Sequence, residues 1–394
     1  MSTPVRKAAE ILDSIQLESF ANDTERYAAK EAARRLLSRI ETPFERGWTL
    51  TFETPVLIAA LQTLRNLGLW SAWYRLCKEN KTADEQSLEH IVSLCQQQGN
   101  ADINLLPLNV VEETDVDKWR PTAFSLALGN EASHLHHILD FGTDHSIITG
   151  VNLPRLLQKY NYHEPLDTKK ADNYTDVNGV DFFGLCEREP HKADSFEGLM
   201  TALRNHKMHW TEVYDTRKIV ENADLAKPLF VDVGGLHGLD TAQLLARHPD
   251  LPPDVLFVQD LPNVVAADIE HLDARIVKQA YDFFTPQPLV GARAYFFHAV
   301  CHDWPDAECV RILQNAAAAM TKGYSKLLIY EIVLPARDAS SLMTTLDLQL
   351  MNIVSGLERT EGHWKELLAK AGFKVVSIAR HFRAVESVIA AELA

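Results

Sequence analysis

A doubly wound α/β domain, with a mostly parallel sheet, is predicted for the second half of this 394-residue chain, and a helical domain ahead of it. Three observations predict it. After Pro228, short apolar runs alternate with amphipathic helical segments, the rhythm of a parallel sheet covered on both faces. The first run, LFVDVGG, passes straight into a glycine-rich turn and then a helix. Before Pro228, the apolar residues recur mainly at helical spacing. The length exceeds the roughly 250–300 residues at which a single core stops growing, so two or more domains are expected. We divide the chain at 1–130, 131–227 and 228–394.

Taken in order, residues 1–45 predict two amphipathic helices, the second stopped by Pro43. The small apolar residues of PVLIAALQTLRNLGLWSAW, with Gly68 among them, predict one tightly packed helix. A helix over SLEHIVSLCQQQ, a short strand in LLPLNVVEE and a return run to WRPTAFSLAL then make a winged-helix-like module. His134 to Tyr214 reads as helical, broken by a long polar loop at HEPLDTKKADNYTDVNGVDFFG. Five strands follow, in LFVDVGG, DVLFVQDLP, ARIVKQAYDFF, GARAYFFHAVCHDW and SKLLIYEIVLP, before a last helix and an antiparallel hairpin.

The bulk numbers narrow the function. With 39 basic against 54 acidic residues the chain carries −15, which opposes attraction to phosphate backbones or anionic membranes. A nucleic-acid or membrane partner is not expected, despite the winged shape. Cys77, Cys95, Cys186, Cys301 and Cys309 show no CxxC spacing, so free thiols in a reducing compartment are expected. The opening residues lack the apolar stretch of a signal peptide and no run approaches a membrane span, which predicts a soluble, cytoplasmic protein.

Gly234, Gly235 and Gly238 lie on the first strand-to-helix turn, where a cofactor can approach the backbone. Glycines alone carry little weight. Asp260 adds to them: it ends the second strand about 20 residues beyond Gly238, the spacing at which an acid meets a ribose diol. Asp232 reads either as a buried acid capping the turn or as a partner for a cationic amine.

The successive segments VDVGG, QDLPNVV, YDFFTPQPLVGARAYFF, CHDWPDAECVRIL, SKLLIYEIVLP and GLERTEGHWKELLAKAGF resemble the motifs of plant and fungal small-molecule O-methyltransferases of the caffeate type. The resemblance covers 228–380 in order and continues more weakly through 36–130, which is similar to that family's dimerisation domain. It implies a Rossmann-like class I methyltransferase domain, S-adenosylmethionine as cofactor and a homodimer through residues 1–130. It assigns Asp260 to the ribose and Asp282 and Phe283 to the adenine, with Trp304 flanking the pocket. It also puts the catalytic base at His302, with Glu331 and Glu358 as its acidic partners.

Elementary chemistry agrees with the last assignment. A phenol has a pKa of about 10 and an imidazole about 6.5, so a positioned neutral histidine can take the hydroxyl proton at neutral pH. A carboxylate behind it fixes the tautomer and stabilises the cation that forms. Asp303 is expected to cap the next helix, which begins at Pro305. Arg359 and Glu361 are expected to be solvated helix-start charges. Met200, Met208, Phe182, Phe183, Met343, Leu346, Leu350, Met351 and Ile353 are pocket-lining candidates that ordinary packing explains equally well, and Trp210 reads the same way. The HLHH cluster of His134, His136 and His137 has metal-ligand chemistry, but no carboxylate is expected to complete a site, so no metal is assigned.

The sequence departs from the family where the turn reads DVGGLHG: Leu236 replaces a glycine. His298 stands where a lysine or arginine is usual, and Lys278 lies near the expected adenine position. Together these suggest an altered cofactor site beside a retained His302, Glu331 and Glu358. A second reading follows, in which the apolar pocket serves a dehydration or a pericyclic ring closure, with Lys278 or His302 as hydrogen-bond donor to a carbonyl.

Overall fold

A computed structural model describes residues 3–79, 85–95, 110–163, 172–266 and 272–394. The chain divides into two compact units, Met1–Asn130 and Glu131–Ala394.

Among the described residues, the first unit is built of helices with one small sheet. Helix Asp23–Ile40 starts at Asn22, whose side chain accepts from the Glu25 amide, and Pro43 opens the next helix, Pro43–Trp48, behind a Thr42/Glu45 capping box. The single helix expected across Gly68 is in fact two, Thr54–Asn66 and Leu69–Glu79. Gly68 takes a φ of +74°, which ends the first and turns the chain. Trp70, Trp73, Leu64 and Leu69 are its buried centre, and the Trp70 indole donates to the Leu61 carbonyl. Helix Ala123–Gly129 approaches so closely that a Cβ on Gly129 would sit 2.1 Å from the Trp70 oxygen. The antiparallel strands Gln86–Ser87, Val111–Asp115 and Lys118–Pro121 form a three-stranded sheet. The strand expected over 105–113 falls partly outside the described residues.

The second unit carries the seven-stranded sheet. We number its strands β1 (Phe230–Val233), β2 (Leu256–Asp260), β3 (Ile276–Ala280), β4 (Ala294–His298), β5 (Lys326–Glu331), β6 (Phe373–Ala379) and β7 (Ser387–Leu393). Their spatial order is β6-β7-β5-β4-β1-β2-β3. β1 to β5 run parallel, and β7 is antiparallel to both its neighbours. Alternation along each strand feeds two cores. Val231, Val233, Tyr295, Phe297, Leu327 and Ile329 pack on one face, while Phe230, Phe296, Leu256, Leu328 and Tyr330 pack on the other. Both faces being buried explains why these strands read as nearly continuous apolar runs. Each such side chain contributes about 1.5–3 kcal/mol by leaving water.

The helices that matter below are α1 (Leu239–Arg247), α2 (Asp306–Ala319), α3 (Ser341–Val354) and α4 (Glu361–Lys370). Ahead of the sheet lie Asn173–Asn178, Phe182–Arg188 and Pro190–His206, also helical. The long loop expected over 163–184 is therefore shorter. Its 164–171 part lies outside the described residues, and Asn173 onward folds behind an Asp172 cap. Phe182 is buried with Tyr174, Leu185 and Ile353, which makes it packing, whereas Phe183 is exposed. Trp210 is core as well, stacked on Phe230 at 5.4 Å.

Candidate functional site

Two turns at the carboxyl ends of the parallel strands gather most of the residues singled out in the sequence. This edge is where open α/β sheets bind ligands.

The first turn follows β1. Gly234 has a φ of +73° and a Cβ there would meet the Val300 methyl at 2.9 Å, with Phe283 at 3.9 Å, so the turn, Phe283 and the β4 loop converge. Asp232, completely buried, accepts from the Thr241 hydroxyl at 2.9 Å, while its Oδ1 has no protein partner. Burial first, and then the nearby Asp240 carboxylate, pushes Asp232 up to about 8. Asp260 Oδ2 accepts the Leu236 amide at 2.9 Å and Oδ1 the Leu261 amide at 2.8 Å. A carboxylate has about four lone-pair sites, so Asp260 fastens the turn and still has capacity for two hydroxyls. Leu236 does not close the turn: its side chain is 56% exposed. It does sit at a φ of +47°, a conformation that costs an L-residue about 1 kcal/mol.

Asp282 accepts from the Phe284 amide, and Phe283 and Phe284 meet Trp304 edge-on at 6.1 and 4.9 Å. His298 is held from both sides, Nδ1 lying 2.6 Å from Asp240 and Nε2 3.5 Å from Glu386, which Lys207 in turn contacts at 2.6 Å. Burial works most strongly against the cation, yet the Asp240 and Glu386 carboxylates outweigh it and raise His298 to about 10. Lys207 and His298 together hold the Glu386 carboxyl far below its usual range, against the pull of burial. His298 is thus held between two carboxylates behind the turn, which favour its cationic form.

The second turn, Cys301–Asp303, follows β4. His302 Nδ1 lies 3.1 Å from Glu358 Oε1, and Glu331 Oε1 accepts the amides of Val300 and Cys301 at 3.1 and 2.6 Å. The second oxygen of each glutamate is buried without a protein partner. Burial is again the strongest influence on His302 and opposes its charge, but Asp303, Glu358 and Glu331 overcome it and lift the imidazole to about 10. Burial pushes Glu331 up to about 7. With Nδ1 turned to Glu358, Nε2 points away from it, towards Asp303 at 3.6 Å.

Two expectations fail at this turn. Asp303 does not cap α2, whose N-cap is Pro305; its carboxylate instead stands 3.6 Å from His302 Nε2. Arg359 is not a solvated charge but is fully buried. Its guanidinium donates to the carbonyls of Cys301 at 2.9 Å and Trp304 at 2.7 Å and to Asp306 at 3.0 Å, so it grips the segment that carries His302. Gly356 completes the fit, since a Cβ there would lie 2.4 Å from the His302 oxygen, which accepts the Leu357 amide at 2.9 Å. Asp347 on α3 accepts the Glu358 amide at 2.8 Å. Glu361 is surface charge as expected, paired with Lys365 and Arg380.

Of the remaining candidates, Met200, Met208 and Met351 are half-buried, and Lys278 is exposed in the middle of the edge strand β3. The absence of a carboxylate beside HLHH is overturned, because Asp140 Oδ2 lies 3.4 Å from His137 Nδ1. Sequence reasoning missed Arg359, Glu386 and Asp140. The adjacency of Arg359 to Glu358 in GLERTE was the one available signal.

A family model described as the O-methyltransferase domain matches residues 160–374. The O-methyltransferase ATR12 of Stachybotrys chlorohalonatus is 35% identical over 402 residues, covering 100% of both chains. The O-methyltransferase mfmE of Annulohypoxylon moriforme is 35% identical over 399 residues, 98% of this chain and 94% of the relative. Among solved structures, LepI in complex with SAM superposes with a TM-score of 0.86 at 25% identity over 100% of both chains. OxaC with sinefungin and meleagrin gives 0.78 at 25%, covering 99% of this chain and 97% of its own.

Proposed function

The chain belongs to the O-methyltransferase family, and from that premise we propose that it moves a methyl group from S-adenosylmethionine to a hydroxyl of a small aromatic or polyketide-derived molecule in fungal-type secondary metabolism. The observation that carries this reading is the 3.1 Å contact between His302 Nδ1 and Glu358. It leaves Nε2, 3.6 Å from the Asp303 carboxylate, as the nitrogen that takes the hydroxyl proton while the oxygen becomes nucleophilic. Glu358, Glu331 and Asp303 then stabilise the imidazolium.

The residues of the first turn fit the cofactor. Gly234 and Gly235 let the turn pack where a Cβ would strike Val300 and Asp232, and the Oδ1 of buried Asp232, without a hydrogen-bond partner among the described residues, suits a cationic amine. Asp260 would hold the ribose diol, and Asp282 and Phe283 the adenine. Bound there, S-adenosylmethionine supplies an electrophilic methyl and a positive charge.

The strained Leu236 and the raised His302 favour one other reading, a ring closure or dehydration in which protonated His302 donates to a carbonyl and no methyl moves. The two are separated by calorimetry with S-adenosylmethionine and mass spectrometry of candidate phenols. Sub-micromolar binding with a gain of one methyl supports transfer; cyclisation undiminished in cofactor-stripped protein sinks it.

The partner we propose is a second copy of the chain. Leu37, Ile40, Phe44, Trp48, Phe52 and Val56 are all exposed along successive helices, with Phe44 stacked on Trp48 and Trp48 meeting Phe52 at a tilt. Light scattering should find a dimer at micromolar concentration; a monomer would contradict this. The five free cysteines suit a cytoplasmic location, and no helix among the described residues is long and apolar enough to cross a membrane.

A further inference from the structure

The HLHH segment lies outside both turns and plays no part in the chemistry above. His134 takes a φ of +55° and the chain then enters the helix His136–Phe141. His136 and Asp140 are buried, and a donor atom of each of His136, His137 and Asp140 lies within 4.8 Å of the others. His137 and Asp140 share one helix face at a spacing of three residues. Their 3.4 Å separation matches the edge of a tetrahedron whose ligands stand about 2.0–2.1 Å from a central ion. Glu131 stands 3.4 Å from His136 Nε2, where a carboxylate orients a ligating imidazole. The His137 ring occupies the space directly over Gly198 of the helix Pro190–His206, since a Cβ on that glycine would come within 2.1 Å of it.

We propose that His136, His137 and Asp140 bind a divalent transition-metal ion of the zinc class. Two imidazoles and one carboxylate suit zinc, whereas magnesium and calcium call for oxygen ligands. Binding requires side-chain rotation to bring the donors, which lie within 4.8 Å of one another, to ligand spacing. All three ligands come from the helix His136–Phe141, and the ion would hold the His137 ring in its seat over Gly198 of the helix Pro190–His206, which carries Met200. The site shares no residue with the methyl-transfer reading.

The test uses the full chain, dialysed against chelator and titrated with zinc by calorimetry, then with cobalt(II) by visible absorption. One equivalent should bind with a tetrahedral cobalt spectrum, and saturating zinc should raise the melting temperature. Asp140→Asn and His137→Ala should each weaken binding at least tenfold, and Gly198→Ala should weaken it too, because the added methyl displaces the ring. His302→Ala should leave it unchanged. No saturable binding to the wild-type chain overturns the proposal, as does binding that survives Asp140→Asn undiminished or disappears with His302→Ala. Asp140→Asn preserves shape, so it decides the matter even if His137→Ala does not fold.

Discussion

The turn after β1 and the turn after β4 lie on the same edge of one sheet, yet they are fastened differently. The first is held by Asp260 through the Leu236 and Leu261 amides, and its middle residue is exposed and left-handed. The second is fixed from below by the Glu331 carboxylate and from the side by the Arg359 guanidinium, both buried. Backbone at the base is specified several times over, whereas the cradle tolerates a residue that its own φ disfavours. The turn that carries His302 is thus held by more buried contacts than the turn after β1.

The largest effect should come from the second turn. His302→Ala is expected to lower methyl transfer by about 10²–10⁴-fold while cofactor affinity by calorimetry stays the same. Equal losses in both would erase the contrast between the turns. Next, Arg359→Met keeps the bulk but leaves the Cys301 and Trp304 carbonyls without their donor, a loss of about 3 kcal/mol. Urea unfolding should show a lower midpoint at constant slope. An unmoved midpoint means the guanidinium does not hold the turn.

The pH profile sharpens the comparison through its sign. If neutral His302 is the base, kcat/KM climbs about tenfold per pH unit on an acid limb that lies above the ordinary 6.5, towards about 10. If the imidazolium is the working form, activity falls as the pH rises through that range. The smallest effect belongs to the first turn. Leu236→Gly removes about 1 kcal/mol of backbone strain that the cofactor-free chain already carries, so the melting temperature should rise by a few degrees while cofactor affinity by calorimetry stays within about twofold. A large change in affinity would show that the cradle takes a different conformation when the cofactor binds.

The features legible in the sequence are those set by neighbours along the chain. The order of strands after Pro228, the glycine turn with Asp260 at the end of β2, and the placement of His302 beyond β4 all follow from local periodicity and spacing. Arg359 was misread because a charged residue before a helix ordinarily faces water, and its acceptors at Cys301, Trp304 and Asp306 are more than fifty residues away. Glu386 escaped notice for the same reason: its partner His298 lies across β7 and β5. The helix break at Gly68 and the helices after Asp172 were hidden because a glycine or a polar run does not by itself reveal its φ.

The position of β7 bears on how the protein is made. It is the last of the sheet strands to be translated, yet it sits inside the sheet, bonded to β5 on one side and β6 on the other. Until the ribosome has released Ser387–Leu393, β5 presents an open, largely apolar edge, and Glu386 has not reached His298. Nascent chains stalled in this stretch therefore expose a template for pairing with other chains, and holdase chaperones should bind them most strongly just before β7 emerges.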